Sequence, residues 1–361
     1  MRIVFLSYNY SPDINSPEEW LKRLHFYIGW SECLVKDHTV IRVDQINYTG
    51  TFIHHGIEYY CVDDSKKINY FPRKLHRYVQ DLKPDIVIVS SFRFPLQVIQ
   101  LRRRLGKQVK IIIQHHAEQP FTGLKRHLQR HASKKANAFL FTSYETGAEW
   151  VRTKNLDTIR KIHELMEVSS AFYPMDKNIA REKTKVSGSP VFLWVSRLNQ
   201  NKDPVTAVDA FLRFAERRPG AKLYMIYHTE ELISAIHKLL PPQNSPVLLI
   251  GKLDHNELLY WFNSADFYLS ASHYESGGTA LCEAMSCGCI PIVTNIPSFR
   301  TIGGDAGLFF QPGNEEALLS LLLQTPGFPA DEKKQYALDR FRTKLSFEAI
   351  AARFQEITGS L

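Results

Sequence analysis

Glu275 and Glu283 are two carboxylates separated by seven residues, and a pair of glycines lies between them at 277–278. The apolar run 267–271 predicts a strand before this turn, and 279–287 predicts a helix after it. Backbone N–H groups at the start of a helix point outward and bring partial positive charge, so such a turn is a ready seat for phosphate. The two carboxylates can accept hydrogen bonds from nearby hydroxyl groups. The combination predicts a binding site for a sugar attached to a diphosphate.

Arg197 and Lys202 are a second candidate pair. They follow the predicted strand 192–195, and the short turn 199–201 separates them. Two cations at the carboxyl end of a buried strand can bind a diphosphate, since arginine forms bidentate hydrogen bonds and lysine acts as a point charge. Such cations would offset the negative charge that grows on a departing diphosphate.

The stretch 272–292 resembles the glutamate-x7-glutamate signature of retaining family 4 glycosyltransferases, which have the GT-B fold. The family pattern of Glu, a glycine-containing turn, Glu-Ala-Met, Gly and Pro is matched at Glu275, Gly278, 283–285, Gly288 and Pro291. The block 195–204 resembles the family's strand, Arg-Leu, short loop and Lys pattern. The resemblance covers about 190–320 closely and the first half of the chain only in outline.

This resemblance implies a role for each motif residue. Glu283 is expected to bind the ribose hydroxyls of a nucleotide, and Arg197 and Lys202 its diphosphate. The donor sugar and phosphates are expected at Glu275 and the turn that follows it. The donor-binding residues of this turn are Ser276, Gly277, Gly278 and Thr279. Gly251 and Lys252 follow the predicted strand 247–250, where family members meet the base through the backbone.

In the first half, His115 and His116 follow the predicted strand 110–114. The family places a histidine there against the donor sugar, and His116 is the closer match. Which of the two faces the donor stays open, and a purely structural histidine is the alternative. Glu118 is a further candidate for contacting donor or acceptor. Three segments depart from the family pattern: 11–17, which lacks the usual glycine pair, 167–170 and 227–231.

Short apolar runs alternate with longer helical segments along the whole chain, which predicts doubly wound α/β domains. Strands are predicted over 3–7, 40–43, 86–90, 110–114, 138–142, 192–195, 223–226, 247–250, 267–271, 290–293 and 308–310. Helices are predicted over 20–34, 74–82, 96–105, 124–137, 204–217, 255–264 and 315–323, in addition to 279–287. The resemblance implies a GT-B arrangement of two Rossmann-like domains. In this arrangement the first domain, 1–172, lies on the acceptor side. A loop-rich linker spans 173–190, and the nucleotide-sugar domain spans 191–345. The last helix, within 346–361, returns to the first domain.

Charge is divided unevenly along the chain. Residues 1–172 hold 26 Lys and Arg against 17 Asp and Glu, and the segment 66–135 alone holds 17 against three. Such a field attracts polyanions or an anionic membrane face. The stretches 71–78, 101–105 and 124–131 interleave cations with apolar residues, as a helix on a membrane surface does, although a merely solvated face is the alternative. No helix-turn-helix, RNA-recognition or zinc-finger pattern supports a nucleic-acid partner.

Cysteine usage and hydropathy indicate a cytoplasmic protein. The five cysteines (Cys33, Cys61, Cys282, Cys287 and Cys289) are odd in number and lack zinc-type spacing, which predicts reduced thiols. The N-terminal stretch turns polar too quickly for a signal peptide, and no apolar run reaches the length of a membrane span. Peripheral attachment to the inner face of the membrane is compatible with the basic segments.

The sequence thus predicts a retaining glycosyltransferase that moves a sugar from a nucleoside-diphosphate sugar to a hydroxyl of a glycan or lipid-linked acceptor, in cell-envelope polysaccharide or glycolipid assembly. No Asp-x-Asp motif is present, so no metal or other cofactor is expected, and Arg197, Lys202 and the helix amides take the electrostatic role. Two alternatives stay open: a sugar-nucleotide epimerase of the same fold, and a non-catalytic module that binds an anionic polymer.

Overall fold

The computed structural model describes residues 1–63 and 70–361, and it divides the chain into two compact units. Unit 1 consists of Met1–Ser169 and Phe347–Leu361, and unit 2 of Ser170–Ser346. Lys66 and Lys67, which belong to the basic segment 66–135, lie outside the described residues. Within the described residues, no helix has both the length and the apolar character that crossing a bilayer requires.

Unit 1 is built on one eight-stranded sheet. Its strands are β1 (Arg2–Ser11), β2 (Thr39–Ile46), β3 (Gly50–His54), β4 (Ile57–Val62), β5 (Ile86–Ser90), β6 (Lys110–Gln114), β7 (Ala138–Phe141) and β8 (Ile162–Glu164). Their order in the sheet is β3-β4-β2-β1-β5-β6-β7-β8, and the β3–β4 hairpin is antiparallel while the other neighbours are parallel. The helices of this unit are α1 (Pro17–Cys33), α2 (Arg73–Asp81), α3 (Pro95–Leu105), α4 (Lys125–Ser133), α5 (Tyr144–Arg152) and the C-terminal helix (Phe347–Gly359).

Helices cover both faces of this sheet, because its strands are apolar along nearly their whole length and both faces must be buried. Successive side chains of a strand point to opposite faces. Val4 and Leu6 of β1 therefore join the core that includes Val98 of α3, whereas Phe5 packs on Trp30 of α1, with ring centroids 5.2 Å apart. The central strands are thus buried from two sides, and their carboxyl ends are the place where side chains can reach a ligand.

The C-terminal helix belongs to unit 1 because its apolar face packs against α1. Phe354 is fully buried, and its ring lies 5.3 Å from that of Trp30. The ring of Phe347 approaches Gly29 so closely that a Cβ there would lie 2.6 Å from it, which explains the glycine in mid-helix. Burying a phenylalanine side chain contributes about 1.5–3 kcal/mol, enough to hold this helix on the unit that the family resemblance assigns it to.

Unit 2 has a six-stranded parallel sheet in the order β11-β10-β9-β12-β13-β14. The strands are β9 (Val191–Val195), β10 (Lys222–Ile226), β11 (Val247–Gly251), β12 (Phe267–Ser270), β13 (Ile290–Thr294) and β14 (Leu308–Phe310). The helices are α6 (Lys177–Thr184), α7 (Pro204–Arg217), α8 (Ile233–Leu239), α9 (His255–Ser264), α10 (Thr279–Ser286), α11 (Pro297–Gly303), α12 (Glu315–Gln324) and α13 (Ala330–Arg340), and a π-helical turn, Phe341–Leu345, follows the last of them. Because β9 and β12 are neighbours, the segments that follow them meet at one edge of the sheet.

Aromatic side chains fill the core of unit 2. Phe192 of β9 packs against Phe211 and Phe214 of α7 at centroid distances of 5.3 and 5.6 Å. On the opposite face, Tyr268 of β12 lies 6.1 Å from Phe262 of α9. The alternation expected of a doubly wound sheet is therefore present here as well, and the predicted class of two Rossmann-like α/β units is confirmed.

The structure departs from the sequence predictions at several elements. The elements that were not predicted are the hairpin β3–β4, the short strand β8 and the helices α5, α6, α8, α11 and α13.

The segment 173–190, predicted as a loop-rich linker, belongs to unit 2 and contains α6. The side chain of Asp176 caps this helix, and Lys177 and Arg181 both pair with Asp266. Such contacts with a residue some 85 positions away leave no local sequence signal.

All five cysteines are free. The thiol of Cys289 donates to the carbonyl oxygen of Phe262 at 3.0 Å, and that of Cys287 to the carbonyl oxygen of Tyr173 at 3.8 Å. Both are buried, and burial raises the pKa of the Cys287 thiol to about 12. These two cysteines are therefore neutral packing residues of unit 2.

Candidate donor-binding site

The glycine turn of unit 2 lies between β12 and the start of α10. Gly278 has a φ of +57°, and a Cβ there would lie 2.8 Å from Cδ1 of Ile302, so both the backbone conformation and the space require glycine. Ser276 is buried, and its hydroxyl has no hydrogen-bond partner among the described residues. The N–H groups of Thr279 and Ala280, the first two of α10, have no hydrogen-bond partner among the described residues, whereas those of Leu281 and Cys282 donate to the carbonyl oxygen of Gly278. Hydrogen-bond donors thus converge at this turn without a protein acceptor, which suits a phosphate.

Glu275 and Lys202 form an ion pair beside this turn. The Lys202 ammonium contacts Oε1 of Glu275, and the two side chains are only 11% and 19% exposed. The Ser272 hydroxyl donates to the same Oε1 at 3.1 Å, and the Ser298 hydroxyl donates to the Glu275 carbonyl at 2.9 Å. The structure therefore brings together two residues that the sequence predicted separately for one site.

The loop that carries Lys202 is tied directly to the segment before the glycine turn. The Asn201 side chain donates to the carbonyl of Tyr274 at 2.9 Å, and the backbone N–H of His273 donates to the carbonyl of Asn201 at 2.8 Å. The backbone N–H of Lys202 donates to the Asn199 side chain at 3.1 Å. These contacts fix the backbone of the loop, and the pairing with Glu275 holds the ammonium, before any ligand binds. Such preorganisation is what electrostatic catalysis needs.

Arg197 lies on the same loop and is exposed. Its side chain forms no hydrogen bond or ion pair with the described residues, whereas its carbonyl accepts the N–H of Asn199 at 2.9 Å and its neighbour Leu198 is fully buried. The Ser196 N–H also donates to the carbonyl of Ile226 at 3.1 Å. Arg197 therefore presents an unpaired cation on a fixed backbone.

Glu283 is buried in α10 and paired with a histidine that the sequence did not reveal. His255 Nε2 lies 2.6 Å from Oε1 of Glu283, and the imidazole stacks on Phe172 with centroids 4.9 Å apart. Burial raises the pKa of Glu283, and the hydrogen bond and charge of His255 offset this only in part. The one local signal for His255 is its place at the first position of α9, just after the predicted base-binding segment.

Gly251 ends β11 with a φ of +83°, a conformation that favours glycine. Its carbonyl accepts a hydrogen bond from the N–H of Tyr227 at 3.0 Å, which fixes the backbone of the turn. Lys252 is exposed, and no hydrogen bond or ion pair ties it to the described residues. The structure thus gives this segment a defined backbone but shows no contact that assigns the Lys252 side chain a role.

In unit 1 the two adjacent histidines differ clearly. His115 is buried, its Nε2 lies 3.0 Å from the carbonyl oxygen of Glu118, and its ring stacks on Phe141 at 4.7 Å. His116 is partly exposed, and its Nδ1 lies 2.5 Å from Oε2 of the buried Glu167. Burial alone would lower the pKa of His116, but the carboxylate of Glu167 raises it overall. His115 is therefore a structural residue, and His116 is the one that can reach a ligand.

Glu118 is a structural residue too, and the expectation that it contacts donor or acceptor is corrected. One carboxylate oxygen accepts the N–H of Phe92 at 2.6 Å and the other the N–H of His116 at 2.8 Å. Although burial favours the protonated form, the neighbouring His115 and these two N–H donors lower the pKa of Glu118. A carboxylate that is 2% exposed and holds two backbone donors has no free face for a ligand.

The part of unit 2 that carries this candidate site is similar to known proteins. Residues 175–325 match the family model described as Glycosyl transferases group 1. The chain is 33% identical over 76 residues to O-antigen chain mannosyltransferase B of Escherichia coli, which is 21% of this chain and 20% of that protein. It is 25% identical over 162 residues to the tRNA-queuosine alpha-mannosyltransferase of Drosophila melanogaster, 45% of this chain and 42% of that protein. The matched part thus spans less than half the length of either relative.

Solved structures match over nearly the whole chain. A glycosyltransferase from Rickettsia africae ESF-5 gives a TM-score of 0.76 at 16% identity, covering 99% of this chain and 98% of that one. Sucrose-phosphate synthase from Thermosynechococcus elongatus gives a TM-score of 0.73 at 15% identity, covering 99% of this chain and 98% of that one. Anabaena HepE in complex with UDP gives a TM-score of 0.71 at 14% identity, covering 100% of both chains. At these identities the likeness concerns the fold. The chain therefore has the GT-B fold, and residues 175–325 of its second unit are similar to the group 1 glycosyl transferases.

Proposed function

We propose that the protein is a retaining glycosyltransferase that uses a nucleoside-diphosphate sugar as donor. The observation that carries this proposal is the donor-rich turn of unit 2. The unpartnered Ser276 hydroxyl and the first amides of α10 lie there beside the preorganised pair Lys202–Glu275. Four of the solved structures of similar fold hold UDP, UDP-glucose or UDP-2-fluoro glucose, which supports a nucleotide-sugar donor.

The proposed reaction follows from these charges. The acceptor hydroxyl forms a bond to the anomeric carbon while the bond from that carbon to the diphosphate oxygen breaks. Arg197, Lys202 and the α10 amides stabilise the charge that develops on the departing diphosphate. The departing phosphate oxygen takes the hydroxyl proton, and attack from the same face retains the anomeric configuration. Glu283 accepts hydrogen bonds from the ribose hydroxyls. Glu275 binds the donor sugar and also pairs with the Lys202 ammonium.

A thermal-shift screen with UDP-, GDP- and ADP-sugars tests donor binding. A ligand that binds only the folded protein stabilises it by about 2.7 kcal/mol at a concentration of roughly one hundred times Kd. One nucleotide series should raise the Tm of the wild type, and Ser276→Ala should reduce that rise. Failure of all three series would contradict the proposal.

Product analysis separates the two alternatives. A sugar-nucleotide epimerase would release free nucleotide without an added acceptor, and a binding module for anionic polymers would show no turnover at all. A product whose anomeric configuration matches that of the donor supports the retaining transferase. An inverted product would contradict the proposed attack from the leaving-group face.

We expect turnover to survive chelation by EDTA, because Arg197, Lys202 and the helix amides supply the positive charge that a metal would otherwise bring. The measurement is the initial transfer rate before and after dialysis against EDTA. A strict requirement for manganese or magnesium would overturn this assignment.

One control is needed for the chelation experiment. In unit 1, Glu32, His54 and His55 place three potential ligand atoms within 4.8 Å of one another, so a metal could be retained there. The variant His54→Ala removes one of these ligands. If its rate equals that of the wild type with and without EDTA, metal bound at this cluster plays no part in turnover.

The acceptor is proposed to be a glycan or lipid-linked molecule of the cell envelope, reached at an anionic membrane surface. Leu124 and Leu128 are 88% and 40% exposed on the basic α4 segment, and Tyr70 and Phe71, 59% and 63% exposed, precede the basic helix α2. Exposed apolar residues among cations are typical of a helix that lies on a membrane. Not every basic residue is available, since Arg102 of α3 donates to three backbone carbonyls and to Asn137.

We expect the protein to sediment with anionic vesicles more than with neutral ones, and less so at high salt. Each Lys or Arg near such a surface is worth about 1 kcal/mol, and salt screens the attraction. The double variant Arg73→Glu and Lys125→Glu should lose most of this binding. Measurement is by co-sedimentation at low and high salt.

A charge reversal at another exposed lysine tests whether the effect belongs to this surface. Lys22→Glu changes an exposed residue of α1 outside both segments and should bind almost as the wild type does. Equal partitioning to both vesicle types would contradict the membrane proposal. RNA is included as a competitor because one relative is named for its action on tRNA-queuosine. Salt-dependent binding to RNA but not to vesicles would assign the basic surface to a nucleic-acid acceptor instead.

A further inference from the structure

Three potential metal ligands meet at the C-terminal end of α1 in unit 1. They are Glu32, in the last turn of this helix, and His54 and His55, at the tip of the β3–β4 hairpin. One ligand atom of each residue lies within 4.8 Å of the other two. Imidazole nitrogens combined with a carboxylate oxygen are typical ligands of zinc and of neighbouring transition metals, whereas magnesium and calcium prefer oxygen alone. By their chemistry, the three residues therefore fit a zinc-type ion.

The turn of the hairpin holds the two histidines side by side. His55 and Gly56 join β3 to β4, and both have a positive φ, +46° and +79°, as the central residues of a type I′ turn do. His54 pairs with the fully buried Ile57 of β4, so a slip in register would bring that side chain out of the core. On this fixed turn the imidazoles of His54 and His55 stack, with centroids 3.9 Å apart and an angle of 25° between their planes.

The tip of the hairpin packs against the chain that follows α1. A Cβ on Gly56 would lie 2.7 Å from Cγ1 of Val35, which belongs to the 3-10 turn Leu34–Lys36. On this packed tip, Nδ1 of His55 lies 3.1 Å from Oε1 of Glu32. Two ligand atoms of a tetrahedral zinc ion are about 3.3 Å apart, since each bond is about 2.0–2.1 Å long. These two ligand atoms therefore already have a spacing that zinc accepts.

The charge at this end of α1 favours a cation. Free carbonyl groups give the C-terminal end of a helix partial negative charge, and the last turn of α1 contains no basic residue. Glu32 adds a carboxylate to this negative end. Its side chain is 24% exposed, and the imidazole of His55 is its one ion-pair partner within the described part of the chain. A divalent ion would compensate both the carboxylate and the helix end.

We propose that Glu32, His54 and His55 bind one zinc-type divalent ion, with water at the fourth position, and that this ion joins the β3–β4 hairpin to the end of α1. Because three protein ligands leave one position open, the ion can be exchanged. It stabilises the fold of unit 1 and takes no part in sugar transfer, for which the proposed donor-binding cations belong to unit 2. The site is thus independent of the proposed transferase function.

Calorimetry tests the site on protein that is purified without a histidine tag and dialysed against EDTA. The probes are zinc chloride and magnesium chloride at equal concentrations, and only zinc should bind. His54→Ala should weaken zinc binding by at least about a hundredfold, because even residues that merely orient a ligand contribute about ten- to a hundredfold to metal affinity. Absence of zinc binding, or magnesium binding as tight as that of zinc, would overturn the proposal.

The variant His55→Asn separates a metal ligand from a turn residue. Asparagine before glycine is strongly preferred in a type I′ turn, so the Tm without metal should equal or exceed that of the wild type. The affinity for zinc should nevertheless fall by at least about a hundredfold, and zinc should raise the Tm of the wild type but not that of the variant. Equal zinc affinity of His55→Asn and the wild type would show that His55 and Glu32 form a surface ion pair only.

The matched control removes two other exposed histidines of unit 1. His127 and His131 lie one turn apart on α4, a spacing at which two imidazoles can share a metal ion. The double variant His127→Ala and His131→Ala should bind zinc as the wild type does. Loss of zinc binding in this control would place the ion on α4 and overturn the proposal.

Hydrogen exchange tests whether the ion joins the two elements. Zinc should slow the exchange of the hairpin amides, 50–62, in the wild type and not in His55→Asn, because a hairpin tied to α1 opens less often. Zinc binding that leaves this exchange unchanged would contradict the proposed junction. None of these measurements involves a sugar donor or turnover, so failure of the metal site and failure of the transferase proposal are distinguishable.

Discussion

Replacing Lys202 or Arg197 with alanine is expected to cut sugar transfer by about a hundredfold or more, as the removal of one preorganised charge contact in an active site commonly does. Both cations follow β9, and the Lys202 ammonium is already held by Glu275. Without either cation, the diphosphate must depart with its developing charge uncompensated. The measurement is kcat/KM of each purified, folded variant with the donor that the thermal-shift screen identifies.

The two variants should differ in stability, which separates their roles. Lys202→Ala leaves the carboxylate of Glu275, 19% exposed, without its partner, so its Tm should fall. Arg197→Ala removes an exposed side chain with no partner among the described residues and should keep the wild-type Tm. Arg213→Ala is the matched control, because it removes an exposed arginine of unit 2 that pairs with Glu316. Turnover of Arg197→Ala and Lys202→Ala close to that of this control would show that the diphosphate lies elsewhere.

The parts of the donor site that the sequence predicted are those that local chain geometry determines. Strand β12, the turn at Gly278 and the start of α10 are consecutive, so their residue types alone predict a turn that could bind phosphate. The predicted second block, at Arg197 and Lys202, lies close because β9 and β12 are parallel neighbours and their carboxyl ends meet at one edge. The family resemblance, rather than periodicity, linked the two blocks.

The parts that could not be predicted depend on tertiary contacts. His255 reaches Glu283 across 28 positions, and Glu167 reaches His116 across 51. Glu167 belongs to a segment noted only as a departure from the family pattern, and the structure shows it to be the partner of a predicted site residue. Glu118 looked available from its place after β6, but two backbone N–H groups that no sequence pattern reveals occupy its carboxylate.

The carboxylate of Glu283 links donor binding to pH. Its pKa is raised in the folded protein because it is buried, so the folded state binds this proton more tightly than the unfolded chain does. Its contribution to the free energy of unfolding is therefore most favourable at acidic pH and declines as pH rises through the raised pKa. If Glu283 binds the ribose as proposed, donor binding has the opposite preference, since the ionised carboxylate is the better acceptor for ribose hydroxyls. At a pH above the raised pKa, we therefore expect Glu283 to cost stability and to contribute donor affinity.

The variant Glu283→Gln should consequently bind the donor about ten- to a hundredfold more weakly at neutral pH, since a hydrogen bond to a charged group is worth about 1.5–3 kcal/mol. Its Tm there should equal or exceed that of the wild type, because the glutamine oxygen can still accept the hydrogen bond of His255 without the cost of burying a charge. Lowering the pH should weaken donor binding by the wild type and leave the variant unchanged, as calorimetric titration can measure.

An exposed carboxylate of the same unit provides the control for this last experiment. Glu315→Gln, at the start of α12, should alter neither donor affinity nor its dependence on pH. If Glu283→Gln lowers the Tm but keeps the donor affinity, Glu283 serves only to hold His255 and the ribose lies elsewhere. If the Tm and the donor affinity of Glu283→Gln both fall, the substitution has destabilised the fold. Only weaker binding at undiminished Tm assigns the ribose to Glu283, because this outcome separates a contact with the donor from a role in the stability of the fold.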